Sequence, residues 1–517
     1  MTEGATATTY NRTSSRQLLI NIGSNVALIV LNMGLALWFT PYLIGVLGVA
    51  AYGVVTLATS VATYMAIIDS ALNKALGRFL TIEIRQGRFA AANRTFNTAL
   101  GLSLIIGLIL IPVIGVIAYL SPRIFDVPAT QESATQWVFL AALLSYVLMF
   151  ARGVFTTSPF AVNRIDLQNA IQATGIVVRV LITIALLSLL PTPSLGAIGT
   201  GVLLGMLASI ALAWAVMRML TPQLSVNLSF FDRSQLAGIL GISSWVFVNE
   251  IGSLLSLNID QIIVNVRLGV ESQGAYALAL QWSILLLTLG RAMSTALAPV
   301  MMLQFAGGQT AKLADTSRRS VKYLGLIMAL PVGLIVGLAS PLLRVWLGPE
   351  FERLSLLLAI IVFPLCIYTA VVPLFTVQIA YNRVRLPALV SFCTGLVNLG
   401  LALWWVNYDK TGLGVAMASA VSLTFRFAVF TPFYNARIQS LPWYTYYPAL
   451  LLIVVLAGAT ALASHALSQF RVIDDWISLI SAATGIALVY GGIVYIVGLS
   501  SAERLDIRTQ LTERFRR

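Results

Sequence analysis

The stretch GISSWVFVNEIGSLLSLNIDQIIVNVRLGVESQGAYALALQWSILLLTLGRAMST, residues 241–295, reads as two membrane helices joined by a short break at residues 267–273. The first run is apolar by composition, yet Asn249, Ser253, Ser256 and Asp260 recur at steps of four, three and four. At about 100° per helical residue they fall within a face about 60° wide. The second run carries Gln281, Thr288, Arg291 and Thr295 on a face about 80° wide. Polar side chains are costly against lipid, so such rows face a protein interior or a watery path.

The same pattern occurs 221 residues earlier. Residues 47–58, LGVAAYGVVTLA, align without gaps on residues 268–279, LGVESQGAYALA, and match at six of the twelve positions. The first copy carries polar rows too: Asn21, Asn25 and Asn32 on one helix, and Thr56, Thr59, Ser60, Thr63 and Ser70 on the next. An internal duplication with a cleft between equivalent halves is the expected arrangement.

Composition sets the class. The 517 residues are 58% apolar and only 10% charged, with a mean hydropathy of +0.89, which marks a polytopic membrane protein. The polar first seventeen residues lack a short apolar core and cleavage site, so the first apolar run is expected to be an uncleaved span. Fourteen spans are expected, at about 19–44, 50–72, 97–120, 134–154, 168–190, 196–219, 240–265, 273–297, 322–342, 355–378, 387–406, 412–434, 447–467 and 476–498. The fold class is therefore all-α, with two pseudo-equivalent six-helix lobes, 1–220 and 221–435, followed by two additional helices and a basic tail, 436–517.

With the N-terminus inside, 23 of the 32 basic residues fall on inner connections and tails and six on outer ones. That asymmetry places both termini in the cytoplasm. The net charge of +13 then reflects topology and contact with anionic lipids, which leaves little reason to expect a nucleic-acid partner.

The other three basic residues lie within spans. Arg179 sits mid-span on one face with Gln168, Gln172 and Gly175, where a charge costs about 2.5 to 3.5 kcal/mol even on the lenient scale. It either lines the path or pairs with a carboxylate such as Glu250 or Asp69. Arg291 and Arg426 lie nearer helix ends and are within snorkelling reach of the interface. Asp260 combines an outer-end position with its polar row. Glu250 is either an arginine partner or a coupling-ion site, and Asp69 is the one carboxylate in the expected spans of the first half.

Enzymatic chemistry has few carriers here. The single histidine, His465, lies near a helix end, and Cys366 and Cys393 sit in spans as small apolar filler. There is no phosphate-binding glycine loop and no metal-ligand spacing, so no cofactor and no metal are expected. Transport is the class that fits.

The duplicated Leu-Gly-Val-x-x-x-Gly-x-x-x-Leu-Ala break, the Asn258-Ile259-Asp260-Gln261-Ile262-Ile263 run, the Tyr381-Asn382-Arg383 turn and the Gly348-Pro349-Glu350-Phe351 loop together resemble the polysaccharide transporters over residues 15–500. These include the O-antigen-type flippases of the multidrug and oligosaccharide-lipid exporter superfamily. The resemblance implies alternating access of two lobes around a cavity lined by the first, second, seventh and eighth spans. It implies a lipid-linked oligosaccharide as cargo, polysaccharide assembly proteins as partners, and a bacterial or archaeal plasma membrane. On that footing Arg291, Arg179 and Arg78 would hold the cargo diphosphate, because the guanidinium fork suits phosphate oxygens. Asn25, Asn32, Asn249, Ser253 and Ser256 would meet sugar hydroxyls, with Asp260 and Gln281 also on the cavity wall, and Glu250 and Asp69 as candidates for ion coupling. A cation-coupled multidrug antiporter of the same fold and a polytopic glycosyltransferase or polymerase are the competing readings.

Overall fold

The computed structural model of the chain describes residues 3–63, 76, 79–80, 83–84, 86–125, 132–191, 194–233, 251–252, 255, 258–409, 411–498 and 504. Among them there is no β-strand, and twelve helices are long and apolar enough to cross a membrane. Each of the twelve coincides with an expected span. The other two expected spans, 50–72 and 240–265, lie partly outside the described residues. Leu108, Leu462 and Leu488 are each more than 70% exposed along these helices, which suits a lipid-facing surface. The chain is an all-α, multi-pass membrane protein.

The chain divides into two compact units, Met1–Ala277 and Leu278–Arg517. Unit 1 begins with α1 (Glu3–Leu47) and α2 (Val49–Thr63) and continues through α3 (Phe89–Ile124), α4 (Glu132–Ala161), α5 (Ile165–Leu189) and α6 (Leu195–Leu220). It then includes α7 (Ile259–Leu268) and the first turns of α8 (Val270–Ala306). The α4, α5 and α6 helices pack along one another. The apolar core has two parts: one gathers Phe39, Leu57, Ile114, Phe139 and Val180, and the other Leu80, Phe96, Phe155, Ile171 and Met217.

The two copies of the Leu-Gly-Val break adopt one backbone. Gly48 has φ +85° and Gly269 φ +87°, a region that a Cβ disfavours. In each copy the glycine N–H closes the preceding helix on a carbonyl four residues back, Gly48 on Ile44 and Gly269 on Asn265. The next helix opens with Tyr52 N–H to Gly48 O in one copy and Gln273 N–H to Gly269 O in the other. Every one of these positions maps onto its counterpart through the same 221-residue shift, which supports the duplication read from the sequence.

The segment after α6 is bound to α3 by side-chain amides. Asn93 donates to Gln223 O and accepts from the Ser225 N–H, while Asn97 donates to Ser225 O and accepts from the Asn227 N–H. Thr98 accepts from the Asp232 N–H. Two amides one helical turn apart thus take the place of a neighbouring strand, satisfying a linker backbone that has no sheet to join.

Unit 2 continues α8 and adds α9 (Thr310–Gly337) and α10 (Ala339–Leu347). The expected span at 355–378 is three short helices, α11 (Ser355–Val362), α12 (Leu365–Val371) and α13 (Pro373–Ala380). Pro364 and Pro373 lie at the joints, where each lacks an N–H to continue the ladder. Then follow α14 (Arg385–Trp405) and α15 (Leu413–Thr424), a π-helical turn at Phe425–Phe430, and α16 (Thr431–Ile438). The Thr431 N–H and its hydroxyl, the latter at 2.8 Å, both donate to Arg426 O and close the π turn, and Pro432 beyond it has no N–H to offer Ala428 O.

The last two spans, α17 (Tyr447–Phe470) and α18 (Trp476–Ile493), pack into this unit. Gly333 and Gly337 of α9 lie directly against Thr460, Ala461 and Ser464 of α17, a close contact of small residues suited to helices in lipid. Tyr490 of α18 donates to Leu326 O at 2.6 Å. Arg344 of α10 reaches Asp474 and the Ile473 carbonyl, both at 3.1 Å.

Candidate functional site

The duplicated corners meet within unit 1. A Cβ on Gly53 would come 2.5 Å from Val270 O and 3.0 Å from Gly274 N, and a Cβ on Gly274 would collide with Val49 O. The contact is reciprocal: residue 49 faces 274 and residue 270 faces 53, as a two-fold axis between the copies requires. Polar pairs follow the same relation. The Thr40 and Tyr52 side chains lie close together, and their counterparts Gln261 and Gln273 are bonded at 3.1 Å. Gln273 also donates to Thr56 at 3.0 Å, so this buried amide ties α2, α7 and α8.

Asp260 directly precedes Gln261 of that tie. It is 2% exposed and accepts a 3.0 Å hydrogen bond from the Tyr276 hydroxyl. The rest of its expected row, Asn249, Ser253 and Ser256, lies outside the described residues, as do Glu250, Asp69 and Arg78.

The asparagines of α1 serve different ends. Asn21 is buried, donates to Asn163 and accepts from the Asp166 N–H. Asn169 of α5 donates to Asn25 at 3.1 Å and to Ser24 at 2.9 Å. Gln17 donates to Asp166, which also holds Arg164 at 2.9 Å. Asn21 and Asn25 therefore fasten α1 to the start of α5, although Asn25 keeps an exposed edge. Asn32 is half-buried and its amide donates to Leu28 O of its own helix.

Arg179 projects from the middle of α5 with an exposed side chain. Its Cβ and backbone rest on Gly205 of α6, and its carbonyl accepts from Thr183. Tyr146 of α4 is within electrostatic reach of the guanidinium. Among the described residues no carboxylate makes a salt bridge with Arg179. The partners considered from sequence, Glu250 and Asp69, lie outside them.

In unit 2, Gln281 is half-buried, and Thr288 and Thr295 are exposed with their hydroxyls turned back to Ile284 O and Ala292 O. Arg291 is exposed and donates from Nη2 to the Tyr368 hydroxyl at 3.1 Å. The helices carrying this pair nearly touch, since a Cβ on Gly290 would come 2.7 Å from Thr369 Cγ2. Tyr368 meets Phe427 edge to face at 4.4 Å between centroids, and the Arg426 guanidinium lies 4.9 Å from the Phe427 ring. Arg426 is 7% exposed and does not snorkel to a surface. Sequence reading passed over Tyr368 because a tyrosine in an apolar run carries no periodic signal.

Comparison with known proteins agrees with this architecture. Residues 18–303 match the family described as "Polysaccharide biosynthesis protein". A relative in Bacillus subtilis (strain 168), described as the uncharacterized membrane protein EpsK, is 29% identical over 486 residues, spanning 94% of this chain and 96% of the relative. Among solved structures, an inward-facing multidrug resistance transporter of the MATE family, MOP superfamily, superposes with a TM-score of 0.66 at 12% identity, over 82% of this chain and 99% of that one. The lipid II flippase MurJ, in an inward closed conformation, superposes with a TM-score of 0.62 at 13% identity, over 90% of this chain and 98% of that one. The fold is thus shared with a drug transporter and a lipid flippase, and the family match covers more than half of the sequence. The chain belongs to the polysaccharide biosynthesis protein family.

Proposed function

We propose that the chain is a flippase that moves polyprenyl-diphosphate-linked oligosaccharide units from the inner to the outer leaflet of the plasma membrane, by alternating access and with both termini in the cytoplasm. One observation carries the anionic cargo. Arg179 and Arg291, within spans of separate compact units, expose their side chains, whereas the one described carboxylate inside any expected span, Asp260, is buried against Tyr276. Among the described residues the exposed charges within spans are therefore cationic, and a diphosphate head meets guanidinium groups through short charge-assisted bonds. Family membership supports a polysaccharide cargo, and the likeness to a lipid flippase supports a lipid-borne one.

Depleting the protein in cells tests this reading. Lipid-linked repeat units should accumulate, confined to the inner leaflet. Accumulation in the outer leaflet would mark a polymerase instead.

A further inference from the structure

We propose that Tyr368 is a positioning residue for Arg291, fixing the direction in which the guanidinium meets the cargo. What the guanidinium is aimed at rests on the diphosphate reading above; that Tyr368 aims it does not. Arginine has a long side chain with many rotamers, and an exposed one loses affinity for any anion by the entropy of being ordered. Here the ordering is built in. The Gly290 and Thr369 contact brings α8 and α12 close enough for Arg291 Nη2 to donate to the Tyr368 hydroxyl. The phenol ring is itself fixed by its edge-to-face contact with Phe427, which stands in the π-helical turn. The buried Arg426 guanidinium lies 4.9 Å from the same Phe427 ring. A hydroxyl holding one nitrogen at 3.1 Å narrows the orientations open to the fork, and an ordered planar fork is what bidentate phosphate recognition needs.

The test uses full-length protein in nanodiscs and the arginine reagent phenylglyoxal, with modification of Arg291 and of the exposed Arg318 followed by peptide mass spectrometry. Tyr368→Phe keeps the ring and its contact with Phe427 and removes only the hydroxyl. Loss of a hydrogen bond to a charged group should speed Arg291 modification about tenfold and leave Arg318 unchanged. Undecaprenyl diphosphate, added as the probe, should protect Arg291 in the wild type, and about tenfold more of it should be needed in Tyr368→Phe. An unchanged Arg291 rate in Tyr368→Phe overturns the positioning role whatever the cargo. A raised rate with no protection in either protein overturns the diphosphate reading and leaves the positioning of Arg291 by Tyr368 standing.

Discussion

Gly53 and Gly274, separated by 221 positions, rest against each other's corner: Val270 O and Gly274 N crowd the first, and Val49 O crowds the second. A methyl group at either position meets backbone, which cannot swing aside as a flexible side chain would. Gly53→Ala and Gly274→Ala should therefore each destabilise the protein by about 1 to 3 kcal/mol through overpacking. The two losses should be similar because the contact is reciprocal. Gly34→Ala and Gly45→Ala, where nothing lies within 4 Å of the new atom, should be nearly neutral. Thermal unfolding in detergent measures all four, and neutral substitutions at both Gly53 and Gly274 would contradict the packing.

The buried Asp260 and Tyr276 pair makes a second, separable prediction. Tyr276→Phe removes a donor from a buried carboxylate and should cost about 1 to 3 kcal/mol. Replacing both, as Asp260→Leu with Tyr276→Phe, should cost less than the sum of the single changes, because the group left unsatisfied has gone. Strict additivity in the cycle would show that the two residues do not act together.

How much of this was legible in the sequence differs by element. The break at Leu268-Gly269-Val270 repeats at Leu47-Gly48-Val49, and a glycine needing positive φ announces itself wherever it recurs. Twelve helices follow from runs of apolar residues alone. Asn21 and Asn25 show the limit, since a polar row on α1 looks the same whether it meets a cargo or Asn163 and Asn169 on another helix. Arg291 and Tyr368 are 77 positions apart. Their pairing depends on the close approach of α8 and α12, where Gly290 meets Thr369, and that leaves no periodic trace.

The charge asymmetry of the connections makes a topological prediction. A reporter active only in the cytoplasm should work when fused at Gln235, Gln309 or Arg517 and be silent at Ser272 or Asp409, because basic connections stay inside. Activity at Ser272 would reverse the orientation of the second half.

A further prediction concerns how the arginines read their target. Arg291→Lys and Arg179→Lys keep the charge and lose the planar fork, so each should restore only part of the transport lost in the alanine variants. Full activity in the lysine variants would mean that charge alone is recognised.

The most direct test is translocation of a polyprenyl-diphosphate-linked oligosaccharide by protein reconstituted in liposomes, read as the fraction of cargo that reaches the outer leaflet. The wild type should move it. Arg291→Ala and Arg179→Ala should abolish movement with protein abundance near normal, and neutralising Asp260 or Glu250 should do less damage. Normal translocation by both arginine variants, with failure of the carboxylate variants, would contradict an anionic cargo and favour cation antiport on the same fold.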